Sequence, residues 1–286
     1  SRACSPVFVN VTCRGPAGAS TAPKPKSRAS GATAAVVATP DFAHVAPAVS
    51  AAQAGLDLLI EKPLATSVAD ARRIRLAVAE AGVRAMVAFE NHWNPPFSQM
   101  KASADAGEIG RAISCNSQLD DRIDVPTEMN AWLGKSSPGW FLISHSLDLA
   151  GWVARQSPLR VFARGVKGLL AGRGLDTYDA IHAIVEFDGG MVGNFSSCWV
   201  LPQSLPLMFQ FRHEIVGTAG SLRADLTDQM LHKATAGGYE HPATIGVTTG
   251  GAPISPPARM LAEFVARLSD GSELPCTLDE GLTNTA

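Results

Sequence analysis

The chain has 286 residues, 46% of them hydrophobic, which is enough for one large or two modest domains. Its 24 Lys and Arg residues nearly balance its 26 Asp and Glu residues, so the composition lacks the basic footprint of a nucleic-acid-binding protein. No apolar run has the length that a membrane-spanning helix needs, so we expect neither nucleic acid nor membrane as a partner.

The five cysteines are scattered and odd in number, and none forms a Cys-x-x-Cys pair. This spacing indicates neither a disulfide framework nor a zinc site. We therefore predict no metal, and we expect a reducing, cytoplasmic location.

Residues 1–33 are rich in Pro, Ser, Ala and Gly. Val7–Val11 has the composition of a strand, and Gly15 and Gly18 fall where a phosphate-binding glycine loop would follow it. The alternative is a flexible tail, which the composition favours because it cannot bury a core. The prolines that come next would also interrupt the helix that such a loop requires.

Strands and helices alternate in the next sixty residues. Apolar runs predict strands at 36–38, 58–60 and 83–89, and helical spacing predicts helices at 47–54 and 66–81, ended by Gly55 and Gly82. Ser67 and Asp70 form a capping-box variant at the start of the second helix. This alternation is typical of a parallel, doubly wound sheet.

The pattern changes after Asn94-Pro95-Pro96, where we place a domain boundary. Alternating apolar residues predict strands at 181–187, 191–200 and 208–216, and helical spacing predicts helices at 97–106 and 258–268. Asp-Gly-Gly, Pro-Gln-Ser and Thr-Ala-Gly turns after these strands indicate a mostly antiparallel sheet. The expected domains are therefore 34–93 and 94–286, after an atypical segment at 1–33.

Two residues stand out as candidates for proton transfer. Lys62 follows Glu61 at the carboxyl end of a predicted strand, the edge at which open parallel sheets bind ligands. His145 begins a predicted helix, capped by Ser144, that places it on one face with Asp148. The alternatives are a solvated surface lysine and a histidine that only satisfies a helix start.

The run Ala-Thr-Pro-x-x-x-His at 38–44, followed by Glu-Lys-Pro at 61–63, resembles the glucose–fructose oxidoreductase/inositol dehydrogenase (Gfo/Idh/MocA) family. The resemblance extends from about Ala34 to the C-terminus. Further landmarks follow in the family's order, at residues 89–95, 107–110, 145–148, 187–190 and 214–222.

The resemblance implies a truncated Rossmann-like parallel sheet, followed by a mostly antiparallel open-sheet domain with helices on one face. It also implies NAD or NADP as cofactor, a sugar, inositol or related polyol as substrate, and a homodimer or homotetramer formed through the open sheet. The family's nucleotide-binding domain needs about two βαβ units before the Ala-Thr-Pro motif. Because about thirty residues precede it here, we expect that the first half-domain was lost through truncation or a misassigned reading frame.

The resemblance also assigns roles to residues. It implies Lys62 and His145 as catalytic residues, cofactor contacts from Thr39, Pro40, His44, Glu61, Lys62 and Asn91, and a substrate hydrogen bond from Asp148. Trp140 and Tyr178 are further candidates for a sugar pocket, although they suit a protein core equally well. Phe141 departs from the family, which commonly has an aspartate four residues before this histidine.

Two functions from different classes remain open. The first is an NAD(P)-dependent dehydrogenase or reductase, favoured by the intact Glu-Lys-Pro motif and by His145. The second is a non-catalytic relic that keeps a ligand-binding or dimerising sheet domain, favoured by Phe141 and by the absence of a regular phosphate loop from the sequence.

Overall fold

The computed structural model describes residues 34–227 and 255–286, together with four short strands between them, at Lys233–Thr235, Gly238–Glu240, Thr248–Thr249 and Ala252–Pro253. The predicted strand at Val7–Val11, the glycine loop and the flexible tail lie outside the described residues. No helix in the described part of the chain is both long and apolar enough to cross a membrane.

The chain divides into two compact units. One contains the residues up to Phe89 together with Arg259–Ala286, and the other contains Glu90–Ala258. Residues 259–286, which we predicted to lie in the second domain, therefore belong to the first unit.

The first unit contains a three-stranded parallel sheet. Its strands are β1 (Ala34–Val37), β2 (Asp57–Glu61) and β3 (Ala85–Ala88), paired in that order. The connecting helices are α1 (Val45–Gln53) and α2 (Val68–Ala81). This confirms the predicted alternation of strands and helices around a Rossmann-like parallel sheet.

The ends of α2 follow the sequence signals. Ser67 Oγ accepts the backbone N–H of Asp70 at 3.1 Å, satisfying one of the N–H groups that the first turn of a helix leaves unpaired. Gly82 follows the helix with φ of 63°, a left-handed conformation that glycine adopts without steric cost.

The C-terminal part of the chain adds helix α7 (Leu278–Thr285) to this sheet. Thr277 and Glu280 form a reciprocal capping box at its start. A Cβ at Gly281 would lie 2.7 Å from a methyl group of Val87, so only glycine permits this close approach to β3. This packing explains why residues 259–286 cluster with the first unit.

The second unit is built on a six-stranded sheet. The strands are β4 (Ala112–Asp121), β5 (Pro158–Val166), β6 (Ala180–Phe187), β7 (Val192–Cys198), β8 (Phe209–Gly217) and β9 (Ser221–Asp225), in the order β5-β6-β7-β4-β8-β9. Only the β4–β7 pair in this sheet is parallel, which confirms the mostly antiparallel prediction.

Helices cover one face of the six-stranded sheet. They are α3 (Pro95–Asp105) and α4 (Ser144–Ala154), and a shorter α5 (Leu169–Gly172) follows β5. Phe97 of α3 packs on Phe211 of β8 with ring centroids 5.0 Å apart, in a core that also holds the fully buried Trp199. Helix α6 (Pro256–Asp270) precedes α7 in the chain. The second unit ends at Ala258, so the first residues of α6 belong to the second unit and the rest belong to the first.

The opposite face of this sheet carries exposed side chains. One row crosses all six strands and contains Phe162, Ile184, Asn194, Asn116, Glu214 and Arg223. A parallel row contains Arg164, His182, Ser196, Gln118, Arg212 and Asp225. The sheet is therefore open on one side, as predicted.

Helix α4 does not begin as predicted. A π-helical turn at Gly139–Ile143 leads directly into it, and Ile143 is its first flanking residue. The Ser144 hydroxyl donates to the Trp140 carbonyl at 2.8 Å, so Ser144 does not cap the helix. The preceding turn supplies the backbone partners that a capping side chain would otherwise supply.

A buried histidine on β8 makes stability depend on pH. His213 is fully buried edge-on against Phe97, and its Nδ1 lies 2.9 Å from Ser117 Oγ. Among the described residues its Nε2 has no hydrogen-bond partner. Burial lowers the pKa of His213 to about 4.

We expect the free energy of unfolding to fall as the pH drops from 6.5 towards 4. In that pH range His213 is protonated in the unfolded chain but stays neutral in the folded chain, so acid favours unfolding. The loss is of order 3 kcal/mol for His213. His213→Leu removes the titrating group. The difference between the free energies of unfolding at pH 7 and pH 4.5, measured with urea, is therefore smaller in this variant than in the parent. An equal pH dependence in both proteins would contradict this assignment.

Candidate active site

His44 ties together the loops that follow β1 and β2. Only 1% of it is exposed, with Nδ1 2.8 Å from the Pro63 carbonyl and Nε2 3.0 Å from the Thr39 carbonyl. Burial lowers its pKa, and the neighbouring backbone carbonyls oppose that shift in part. A neutral imidazole has one N–H and donates it to one of these two carbonyls, and His44 acts on the site through the loops that it contacts.

Thr39 and Pro40 form a tight turn at the end of β1. The Thr39 hydroxyl donates to the Ala43 carbonyl at 3.1 Å, and the Ala43 N–H donates to the Pro40 carbonyl at 2.7 Å. These bonds hold the backbone after β1 in one conformation at the carboxyl edge of the sheet, where ligands of open parallel sheets lie.

Glu61 and Lys62 end β2 at the same edge. Desolvation raises the pKa of Glu61, while the charge and the backbone N–H of Lys62 act in the opposite direction. Lys62 is half-buried, and the peptide bond between Lys62 and Pro63 is cis. The first unit thus brings Thr39, Pro40, Glu61 and Lys62 to adjacent strand ends.

In the second unit, His145 is buried in the first turn of α4. Its Nδ1 lies 3.2 Å from the Asn91 amide nitrogen and 3.7 Å from the Glu90 carboxylate. The Asn94 amide donates to Asn91 Oδ1 at 3.5 Å, which directs the amide nitrogen of Asn91 towards His145. Glu90 and Asn91 belong to a single 3-10 turn at Glu90–Trp93, which we call the 90–93 turn.

These contacts suit both protonation states of the imidazole. In the neutral form Nδ1 accepts from Asn91, which leaves the proton on Nε2. In the charged form Nδ1–H faces the carboxylate of Glu90. An imidazole supported in both states can hold or release a proton, which is the chemistry of a general acid or base.

His145 lines a cavity of about 240 Å³ inside the second unit. Its polar lining consists of Glu90, Asn91, Asn94, Asp121 and His145, and its apolar lining consists of Leu119, Leu142, Met208, Phe209, Phe211, Leu226, Pro256 and Pro257. Asp121, which is 4% exposed, was not predicted from the sequence. It ends β4, a strand whose small and polar residues hide its alternation of buried positions.

The predicted substrate contacts do not line this cavity. Asp148 instead accepts a hydrogen bond from His92 Nε2 at 2.8 Å. Tyr178 packs against Gly165 on the edge strand β5, three strands away from β4. Trp140 lies half-buried in the π-helical turn before α4 and is absent from the described lining.

Phe141 packs among aromatic side chains. Its ring centroid is 5.8 Å from that of Trp132 and 5.9 Å from that of Trp199. In the π-helical turn it is Leu142, not Phe141, that lines the cavity beside His145. The residue four positions before the histidine thus contributes to the core in this chain.

Two family models match the chain. Residues 20–89 match the oxidoreductase family with an NAD-binding Rossmann fold, and residues 97–223 match the GFO/IDH/MocA C-terminal domain. Together the matches cover more than two thirds of the chain. The chain belongs to the Gfo/Idh/MocA family. The match to the Rossmann-fold model begins at residue 20, whereas we placed the start of the resemblance at about Ala34.

The chain is similar to several curated dehydrogenases. It is 28% identical over 197 residues to scyllo-inositol 2-dehydrogenase (NAD(+)) of Bacillus subtilis, covering 67% of this chain and 55% of that protein. It is 30% identical over 223 residues to inositol 2-dehydrogenase of Streptomyces avermitilis, covering 75% of this chain and 60% of that protein. The chain therefore spans less than two thirds of the length of these relatives.

The fold also matches solved structures. The crystal structure of scyllo-inositol dehydrogenase from Lactobacillus casei with bound NAD(H) and scyllo-inositol superposes with a TM-score of 0.73 at 16% identity, covering 90% of this chain and 76% of that one. At this identity the match supports the shared fold.

We expect His44→Leu to lower the free energy of unfolding by about 1–3 kcal/mol, because the backbone carbonyl that accepts the imidazole N–H, that of Pro63 or Thr39, loses its hydrogen-bond donor. Urea unfolding measures the change, with Arg72→Leu on the exposed face of α2 as the control for adding a leucine. Unchanged stability with weakened NADH binding would instead assign His44 to the cofactor.

Proposed function

We propose that the protein is an NAD(P)-dependent oxidoreductase that transfers a hydride between nicotinamide and a secondary alcohol of a sugar, inositol or related polyol. The observation that carries this proposal is the imidazole of His145, held at Nδ1 by Asn91 and Glu90 beside a cavity of substrate size. The family membership and the names of the relatives support the same reaction class.

The donor set at the strand ends fits the nicotinamide half of a dinucleotide. A fixed turn at Thr39 and Pro40 lets a ribose approach the backbone, and the half-buried Glu61 and Lys62 offer polar groups beside it. The bound cofactor supplies the hydride chemistry. NAD as the cofactor is supported by the family model.

Oxidation of a secondary alcohol removes a hydride from carbon and a proton from the hydroxyl group. We assign removal of that proton to Lys62 and His145, with the Nε2 atom of His145 as the group that donates to or accepts from the hydroxyl. Glu61 orients Lys62 through its charge. Asn91 contributes by holding His145 in place, in addition to the cofactor contact predicted for it.

Asp121 compensates for Phe141 in this proposal. It places a buried carboxylate in the cavity that His145 lines, whereas Phe141 lies in the aromatic core. A buried carboxylate in the same cavity as the imidazole supports an enzyme over a relic. The relic stays the alternative because Phe141 itself cannot exchange a proton.

The cavity suits a ring that carries both hydroxyl and C–H groups. Its polar side chains lie on the 90–93 turn, the start of α3, α4 and β4, and part of its apolar lining comes from β8, the strand that pairs with β4. Sugar and cyclitol rings present hydroxyl groups at their rims and C–H groups on their faces. This match supports a carbohydrate-like substrate.

A second copy of the chain is the proposed partner for the open sheet, giving a homodimer or homotetramer. The exposed row that contains Phe162, Ile184 and Asn194 supports this, because a half-apolar sheet face needs covering. We keep the reducing cytoplasm, predicted from the cysteine pattern, as the proposed location.

We expect Lys62→Ala to lower turnover by at least about 100-fold while NADH still binds, because the variant loses a proton-transfer group but only one of several cofactor contacts. Turnover is followed as NADH formation with myo-inositol, scyllo-inositol and D-glucose, and binding as quenching of tryptophan emission by NADH and NADPH. Lys135→Ala, at an exposed lysine, is the matched control.

Parent-like turnover in Lys62→Ala would remove this residue from the mechanism. Absence of saturable quenching at millimolar NADH and NADPH would favour the relic for this chain.

We expect Ile184→Asp to shift the mass measured by light scattering from an oligomer towards a monomer, because it places a charge in the middle of the open face, where Ile184 is 47% exposed. Leu76→Asp makes the same exchange at an exposed leucine of α2. A parent that is monomeric, or an equal response to both changes, would contradict the proposed interface.

A further inference from the structure

The 90–93 turn contacts α4 at two places one helical turn apart. Glu90 and Asn91 meet His145, and His92 meets Asp148 three residues further along the helix. The first contact supports the proposed acid–base group. The second contact has no part in the chemistry proposed above.

The His92–Asp148 pair is buried and tightly framed. His92 Nε2 and Asp148 Oδ2 lie 2.8 Å apart, and the two side chains are only 7% and 8% exposed. The imidazole stacks on the ring of Trp152 with centroids 3.8 Å apart and planes 8° apart. Asp148 and Trp152 are neighbours at i and i+4 on α4, so one helix face provides both the acceptor and the stacking platform.

The backbone of the turn is fixed to the start of α3. The Ser98 hydroxyl donates to the His92 carbonyl at 2.6 Å, and the Asn94 N–H donates to the Asn91 carbonyl at 3.1 Å. His92 is therefore held by its main chain on one side and by its side chain on the other. A change in its side chain is transmitted to Asn91 through one peptide unit.

The contacts at His145 are sensitive to such a change. The distances from its Nδ1, 3.2 Å to Asn91 and 3.7 Å to Glu90, are at the long end for hydrogen bonds and ion pairs. A shift of about half an ångström in the turn would break the first contact, whereas the 2.8 Å bond at Asp148 has the length of a strong charge-assisted bond. The shorter His92–Asp148 bond can thus hold the turn where the longer Asn91–His145 contact forms.

We propose that His92 and Asp148 are a positioning pair, whose hydrogen bond fixes the 90–93 turn on α4 and so keeps His145 in a single orientation and tautomer. The consequence for catalysis rests on the proposed function of His145. The structural part of the inference does not, because the tautomer of His145 can be measured without substrate or cofactor.

Three variants separate the hydrogen bond from packing and from burial of charge. His92→Phe keeps an aromatic ring on Trp152 and removes the donor to Asp148. His92→Gln loses the stack and keeps a side-chain N–H at the position of Nε2. The double variant His92→Phe with Asp148→Leu also removes the buried carboxylate from which His92→Phe takes its imidazole donor, which protects the fold if the single variant is unstable.

The readout is the pair of imidazole ¹⁵N signals of His145 in the full-length chain labelled at histidine, assigned by their absence from a His145→Gln sample. We expect one Nε2–H tautomer in the parent and in His92→Gln. We expect a mixture of tautomers in His92→Phe and in the double variant. Asp279→Leu, which removes the exposed carboxylate of the Arg75–Asp279 pair, is the matched control with a parent-like signal.

If the proposed function holds, kcat in the double variant falls by roughly 10- to 100-fold with little change in KM, because misplacing a catalytic group impairs the chemical step. Loss of the single tautomer without measurable turnover in the parent would support the positioning pair and contradict the proposed function. A parent-like His145 signal in the double variant would overturn the positioning pair, whatever the activity.

Discussion

The site depends on how the Nδ1 atom of His145 is held. One short turn presents an amide and a carboxylate to that atom, so that either protonation state of the imidazole meets a suitable partner. The proposed acid–base chemistry is assigned to the other ring nitrogen, Nε2. The distances involved are long, and the neighbouring His92–Asp148 bond supplies the firm attachment that they lack. The same turn therefore makes a long contact with His145 and a short, buried hydrogen bond with Asp148.

The buried histidines show how environment decides what one residue type does. His44 lies between two backbone carbonyls and fastens two strand ends together. His213 is enclosed by the sheet and α3, where burial holds its pKa near 4 and keeps it neutral. His145 borders the cavity that Glu90, Asn91 and Asp121 also line, and its Nδ1 faces the Glu90 carboxylate. Each imidazole can bind or release a proton, and the groups around the ring decide whether the histidine has a structural role or is suited to proton transfer.

Local signals were reliable where the chain forms its own structure. The cap at Ser67 and the left-handed Gly82 bound α2, and the apolar runs of the first unit became parallel strands, because capping and burial of short apolar segments act over a few residues. The same reasoning failed at Ser144, since the preceding π-helical turn removes the need for a cap. It also missed β4, because small and polar residues at several buried positions obscure the alternation of apolar side chains that predicts a strand.

By itself, the sequence determined the element types, the family and two candidate groups, Lys62 and His145, because motif order and periodicity are properties of neighbouring residues. Only the tertiary structure decided the partners. It paired Asp148 with His92, turned Phe141 into the aromatic core, brought Asp121 to the cavity and returned the C-terminal helix α7 to the first sheet. These outcomes depend on contacts between segments far apart in the chain, whose geometry is fixed when the sheet and its covering helices pack together.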